Sequence, residues 1–366
     1  MRLTTLQRFS DRLLGRGSAA ITVPVMDGAL KPNRALDDAQ VVASLEGIDD
    51  LACDGVHVYA SAGQELYRLR GGDWVDVMRM DAPITALALS GDGCVALALQ
   101  GRSIEVRRLS DGAWLAELRS LDGQPLQSVN ALAFETDAQL LFTDGSTRHA
   151  PAQWCHDLMD KGRTGRVGRW QVSAGDAQGL SHHQEYAWGV LPYRGGVLHA
   201  ETWRHRVHFD GPQGHAIMLA ELPGYPSRIA AASDGGWWLT CFTCRTQLVE
   251  FVLREDAYRL RMMAEIDPRY WIAPALSSGH SFLEPLQGAG VKQMGQLKPW
   301  APPRSYGLVI KVGPQGRIES ALHSQVGGRH HGITAALECD GALYAASAGS
   351  GRLLRLDLGA QQGDPA

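Results

Sequence analysis

The stretch 222-LPGYPSRIAAASDGGWWLTCF-242 decides the fold. A Pro/Gly-rich entry leads into a small apolar run. Asp234-Gly235-Gly236 then supplies a tight turn, and a second apolar run returns. Asp-Gly or Gly-Gly between two apolar runs is hairpin chemistry, because these residues accept the positive φ angles that short hairpin turns demand.

The same unit recurs along the chain as GIDDLACDGVHVYAS, PITALALSGDGCVALAL, SVNALAFETDAQLLFTDGS, YAWGVLPYRGGVLHAETW, YPSRIAAASDGGWWLTCF and GITAALECDGALYAASAG. Their turns fall near Asp54, Asp92, Asp137, Gly195, Asp234 and Asp340, at intervals of 38, 45, 58, 39 and 106 residues. Propeller repeats run about 40 to 50 residues. A blade cannot bury both of its faces alone, and closing the blades into a ring solves that. The chain lacks the helical crossovers of a parallel sheet. The repeats predict an all-β, six-bladed β-propeller over 41–360. They are preceded by an N-terminal amphipathic helix and extended arm over 1–40, and a long loop insertion over about 254–304, whose start up to Ile266 could be a strand continuation or a short helix, explains the last interval.

The 366 residues carry a formal net charge of -4, without the basic excess of a nucleic-acid binder. No run approaches the roughly 18 apolar residues of a membrane span. In MRLTTLQRFSDRLLGRG, Leu3, Leu6, Phe9, Leu13 and Leu14 have helical spacing and arginines are interspersed. This reads as an amphipathic helix that packs on the body or docks a partner or membrane surface, not as a secretory signal. The six cysteines are widely spread, which fits a reducing, cytoplasmic setting better than a disulfide framework. Cys241 and Cys244 lie in WWLTCFTCRTQLVEFV, which reads as strand and hairpin rather than as the helix start of a redox pair.

The head of each innermost strand faces one mouth of the central channel. Aligning the units puts Asp49, Thr85, Asn130, Trp188, Ser227 and Thr334 at that position, followed by Asp50, Ala86, Ala131, Gly189, Arg228 and Ala335. Residues converging from every blade on a rigid frame form a natural site for a small-molecule ligand. A hard cation wants six to eight oxygens. Asp49 and Asn130 could supply some of them, but Arg228 brings a positive charge to the same place and pairs more cheaply with Asp49 or Asp50. His182 and His183 precede unit four, and His330 and His331 precede unit six. Both pairs are expected in loops over the mouth, where His183 or His331 could act as a general base. In ETWRHRVH (201–208) strand alternation would place Glu201, Trp203 and His205 on one face, with Glu201 pairing structurally with an arginine.

The series FTD, ETWRHR, LPGYP and DGGWW, with VNALAFETDAQLLFTDGSTR and HGITAALECDGALYAASAGSGRLLRL, resembles the strictosidine synthase-like group of the SMP-30/gluconolactonase/paraoxonase superfamily. The resemblance implies a six-bladed propeller and a lactone or ester hydrolase with calcium, or another divalent cation, at the mouth. Asp49 and Asn130 match positions of the family's metal set. Trp188 stands where the family often has Asn, and Ser227-Arg228 where it has Asp-Asn, so the implied metal site is degenerate. The glutamate of the plant synthases has Thr334 at its aligned position, with Glu338 further along the hairpin. Three functions follow as expectations. The first is a hydrolase with catalytic Asp49, Asp50, Arg228, His183 and His331 and substrate-binding Trp188, Ser227, Thr334 and Thr85. The second is a metal-independent enzyme of small-molecule or natural-product metabolism. The third is a non-catalytic ligand-binding or scaffold propeller.

Overall fold

The computed structural model describes residues 23–280, 284 and 304–358. The N-terminal helix expected over the first residues lies outside these. Six four-stranded antiparallel sheets follow one another around a ring, as the repeats require. The innermost strands are Ile48–Cys53, Ile84–Leu89, Val129–Thr136, Ala187–Tyr193, Gly224–Ala231 and Ile333–Cys339. Each quoted unit is therefore the first hairpin of a blade. The turns obey the backbone rule that made them legible. Arg194-Gly195 and Asp340-Gly341 have φ values of 48° and 72°, and 47° and 72°, and a two-residue turn of this hand needs both positive.

Ring closure uses both ends of the repeat region. Blade six takes three strands from the C-terminal side, while its outermost strand is Gln40–Ser44, paired with Arg352–Asp357. The arm before that strand lies against blade five. Asn33 Nδ2 donates to the carbonyl of Ala321, Ser324 Oγ donates to Asp37, and Leu36 is fully buried.

The core consists of apolar layers between neighbouring blades, such as Leu191, Leu198, Ile229, Leu239 and Ile310 between blades four and five. Near the axis the blades converge and side chains become small. Ala86, Ala88, Ala96 and Ala98 are buried in blade two. A Cβ added to Gly189 would run into the Ser227 carbonyl of the next blade.

Three expectations are corrected and one open alternative is resolved. The start of the insertion of blade five, which the sequence leaves open between strand and short helix, is helical: Gln247–Arg254 is a helix (α2) and Asp256–Glu265 a second one (α3). The hairpin read across WWLTCFTCRTQLVEFV is thus a strand, Trp237–Cys244, followed by a helix. Thr246 caps that helix by accepting from Val249 N, and Val249 and Val252 are buried three residues apart, a helical spacing that the apolar run concealed. The alternation across ETWRHRVH breaks at Glu201, where Thr202–Arg204 turns as a 3-10 helix and His205 takes a φ of 51°. Finally, Cys53 and Cys339 form a disulfide between the innermost strands of blades one and six. Cys94, Cys155, Cys241 and Cys244 are free, and burial raises the thiol pKa of Cys241 and Cys244.

Among the described residues no helix is long and apolar enough to cross a membrane.

Candidate functional site

Arg228 reaches the axis from the innermost strand of blade five and is seated among oxygens of three other blades. Its Nη1 donates to the carbonyls of Asp49 at 3.0 Å and Thr334 at 3.3 Å, and to Asp49 Oδ1 at 3.3 Å. Nη2 donates to Asp49 Oδ2 at 2.9 Å and to the Thr85 carbonyl at 2.8 Å. Nε lies 3.1 Å from Asp50 Oδ1. A planar guanidinium with five N–H groups suits such a cage. Burial works against its charge, but Asp49 and Asp50 outweigh that and hold its pKa above the ordinary value.

The two carboxylates differ. Asp50 is buried, and it accepts from Leu51 N and Leu87 N, both at 2.9 Å. Burial pushes its pKa up to about 6, against the pull of Arg228 and with the push of Asp49. The Asp49 side chain keeps 35% exposure and is the part of this ion pair that meets solvent.

The implied cation does not fit these residues. The oxygens of Asp49, Asp50, Thr85 and Thr334 that converge here already face a guanidinium. Thr143 Oγ1 gives its one proton to the Trp188 carbonyl, so the Asn130 side-chain amide 2.7 Å away donates to that hydroxyl. Bringing a divalent ion beside Arg228 would oppose two buried like charges.

Most hydroxyls of the expected ring are used between blades. Thr334 Oγ1 donates to the Asp49 carbonyl (blade six to one), and Thr85 Oγ1 to that of Val129 (two to three). Thr143, Thr202 and Thr240 donate to the carbonyls of Trp188, Pro226 and Thr334 (three to four, four to five, five to six). Leu87 N donating to Asp50 completes the circle from two to one. Every interface near the mouth therefore carries one such bond. Ser227 Oγ is occupied within its own blade by Thr240, at 2.7 Å.

Above Arg228 stands an aromatic wall. Trp188 lies in its innermost strand beside Tyr186, Trp203 and Phe242, with centroids 4.6 to 5.8 Å apart for the contacting pairs Tyr186–Trp203, Trp188–Phe242 and Tyr186–Trp188. Trp271 and Met262 from the insertion, and Leu158 and Met159 from helix α1 (Trp154–Asp160), pack on the same cluster. The Arg228 guanidinium carbon sits 6.0 Å from the Trp188 ring centre. Among the described residues the buried Trp188 Nε1 has no hydrogen-bond partner.

The histidines divide. His182 and His183 are not over the mouth. They sit exposed in Asp176–Gln184, the outermost strand of blade three, which extends up to the start of blade four and leaves no loop there. His331 does lie at the mouth, just before the innermost strand of blade six. Its Nδ1 is 2.8 Å from Ser305 Oγ and its Nε2 is 2.9 Å from the Gln325 carbonyl. Burial lowers its pKa. Ser305 belongs to the insertion, and no local motif in the sequence signals its pairing with a histidine 26 residues away. Glu201 pairs with Arg206 at 2.6 Å and also with His208 at 2.9 Å. Glu338 accepts from Trp238 Nε1 and Ser233 N, bridging blades six and five away from the axis.

Fold and site together define a six-bladed propeller with an arginine at its axial cage, and the chain is similar to proteins of the strictosidine synthase-like and SMP-30/gluconolactonase class. Its relatives include adipocyte plasma membrane-associated protein of Rattus norvegicus, 25% identical over 366 aligned positions that cover 92% of this chain and 90% of that protein. The Salmo salar protein of the same name is 27% identical over 244 residues, covering 64% of this chain and 53% of its own length. Strictosidine synthase-like protein 10 of Arabidopsis thaliana is 28% identical over 145 residues, 38% of this chain and 39% of that protein. A solved gluconolactonase from Xanthomonas campestris shares the fold with a TM-score of 0.56 at 12% identity, covering 88% of this chain and 90% of that one. No family model matches the chain.

Proposed function

We propose that this protein binds and hydrolyses a small ester or lactone at the channel mouth, with Arg228 taking the place of a divalent cation at the axis. The observation that carries this reading is the buried donor Trp188 Nε1, which has no acceptor among the described residues. A buried donor without an acceptor costs about 1 to 3 kcal/mol. An ester or lactone offers acceptor oxygens, needs no acceptor in return, and has an apolar body that suits the aromatic wall. The half-exposed Asp49 is held in place by Arg228 and faces the same mouth. The gluconolactonase among the structural neighbours has this fold, and its name agrees with the substrate class.

The test is a panel of aryl esters and five- and six-membered lactones, assayed with and without EDTA. Turnover that survives EDTA and drops about tenfold in kcat/KM on Trp188→Phe, which removes the indole N–H together with the ring that carries it, at a melting temperature that stays unchanged, supports the reading; one hydrogen bond is worth about that factor. Loss of turnover with EDTA would remove metal independence. A protein that neither binds nor converts any member of the panel would remove the reading.

A further inference from the structure

The insertion of blade five brings a second set of groups to the rim of the mouth. Leu276 lies against the start of blade six, where a Cβ on Gly332 would come 2.7 Å from its carbonyl oxygen. Ala275 N donates to the Arg304 carbonyl at 2.8 Å. These contacts fix Ser278 beside Ser305, with their Oγ atoms 2.6 Å apart. Ser305 is fully buried and Ser278 half-buried.

The direction of the protons follows from the partners. His331 Nε2 faces a carbonyl oxygen, which only accepts, so Nε2 carries the ring proton. In the neutral imidazole Nδ1 is then a lone pair, and Ser305 Oγ–H donates to it. The Ser305 oxygen in turn accepts from Ser278 Oγ–H. The chain runs from the more accessible hydroxyl to a buried base whose tautomer is fixed by the backbone.

A second observation concerns the two peptides after Ser278. Gly279 N and His280 N both donate to one carboxylate, that of Glu284, at 3.0 and 2.9 Å. Gly279 has a φ of 91°, the left-handed region that turns successive N–H groups to one side. Two consecutive amides on one anion form a nest. The Glu284 carboxylate shows that the two peptides following Ser278 hold a negatively charged oxygen.

We infer that Ser278 is the nucleophile of an acyl-transfer site, activated through Ser305 and His331, with Gly279 and His280 N–H as its oxyanion donors and Glu284 as an internal occupant that substrate displaces. Ser278 Oγ bonds to the carbonyl carbon while its proton passes to Ser305 and the Ser305 proton passes to His331 Nδ1. The carbonyl oxygen takes the negative charge into the nest. Collapse breaks the bond to the alcohol oxygen, which receives the proton back along the same chain. Water then repeats the sequence on the acyl-serine and releases the acid. This assignment rests on the hydrolase reading and names its reacting groups.

The test is labelling of the full chain with a fluorophosphonate probe, located by mass spectrometry, alongside hydrolysis of the ester panel. We expect the label on Ser278. It should vanish in Ser278→Ala and form at least about a hundredfold more slowly in His331→Asn, with unchanged melting temperatures. Glu284→Gln should speed labelling by weakening the occupant of the nest. A label elsewhere or none at all, or ester hydrolysis undiminished by Ser278→Ala, would overturn the assignment. If hydrolysis persists in Ser278→Ala but falls in Trp188→Phe, the relay is wrong and the hydrolase reading stands. If Ser278 is labelled in a protein that converts no ester or lactone, the nucleophile stands and the hydrolase reading fails.

Discussion

Arg228 Nη2 and Asp49 Oδ2 meet at 2.9 Å across the axis, joining blade five to blade one without passing through blade six. The same guanidinium reaches the Thr85 carbonyl of blade two. One side chain thus cross-ties three blades that share no direct strand pairing. This is a structural role for a residue that sits where relatives are expected to bind a metal.

Truncating Arg228 should therefore cost stability first. Asp50 would remain buried with its charge partner gone, and breaking a buried pair typically costs about 3 to 5 kcal/mol. Chemical denaturation of Arg228→Ala should show a loss of that order. Adding Asp50→Asn should recover part of it, because the orphaned charge is removed.

The oxygens that surround the guanidinium make a second expectation. Without Arg228, the Asp49 carboxylate, Asp50 Oδ1 and the carbonyls of Asp49, Thr85 and Thr334 would face one space. That is a hard-cation donor set. Millimolar calcium should raise the melting temperature of Arg228→Ala and leave that of the wild type unchanged. Calorimetry showing equal calcium binding by both proteins would contradict the idea that Arg228 fills the cage.

Asp50 predicts a pH dependence. Its folded pKa of about 6 lies above the unfolded value of 3.8, so the folded state holds the proton more tightly. The stability it contributes is fully present below about pH 4 and is lost as pH rises through 6, because the charged form is the one that burial penalises. The loss amounts to about 3 kcal/mol, since each pKa unit is worth about 1.4 kcal/mol. Stability curves of wild type and Asp50→Asn should diverge across this window, with the wild type falling relative to the variant as pH rises. Parallel curves would show that Asp50 does not titrate there.

The blades were legible because their chemistry is local. Asp340-Gly341 needs only its own φ angles, and the apolar runs beside it need only the strand period. The convergence of Asp49, Asp50 and Arg228 was also legible, since strand heads of a propeller must meet at the axis. The rest depends on partners remote in sequence. Nothing near Thr334 announces that its hydroxyl serves the Asp49 carbonyl 285 residues away. His183 was misplaced because the outer strand of blade three runs on to Gln184, past the point where a loop was expected. Helix α2 was missed because its start follows a long buried strand, and the cap at Thr246 is visible only once the chain has turned.

Cys53 and Cys339 were read as separate thiols, and their pairing makes a further prediction. They are 286 residues apart, and they clamp the same blade junction that the Gln40–Ser44 strand closes further out. Thiol titration of the denatured, unreduced protein should find four free cysteines rather than six. Cys53→Ser should lower stability by about 2 to 4 kcal/mol, the usual effect of a bridge closing a long loop. The ring should nevertheless form, because the strand pairing of blade six is intact in that variant. Six titratable thiols in protein purified without reductant would show that the two cysteines are not joined.

The hydroxyl circle separates structure from chemistry at the mouth. Thr85 and Thr334 were expected to touch substrate, yet each donates its proton to a carbonyl of the next blade. Thr334 also sits at the point where blades five, six and one meet, its own carbonyl accepting from Arg228 and Thr240. Replacing either hydroxyl by a methyl, as Thr85→Val or Thr334→Val, leaves a buried carbonyl short of a donor. That costs about 1 to 3 kcal/mol. If the residues are purely structural, melting temperature should fall while KM for any substrate of the wild type stays within twofold. A rise in KM at unchanged melting temperature would instead return them to the binding surface. The wider exposure of Thr85, which is half-buried where Thr334 is buried, makes it the more informative of the two.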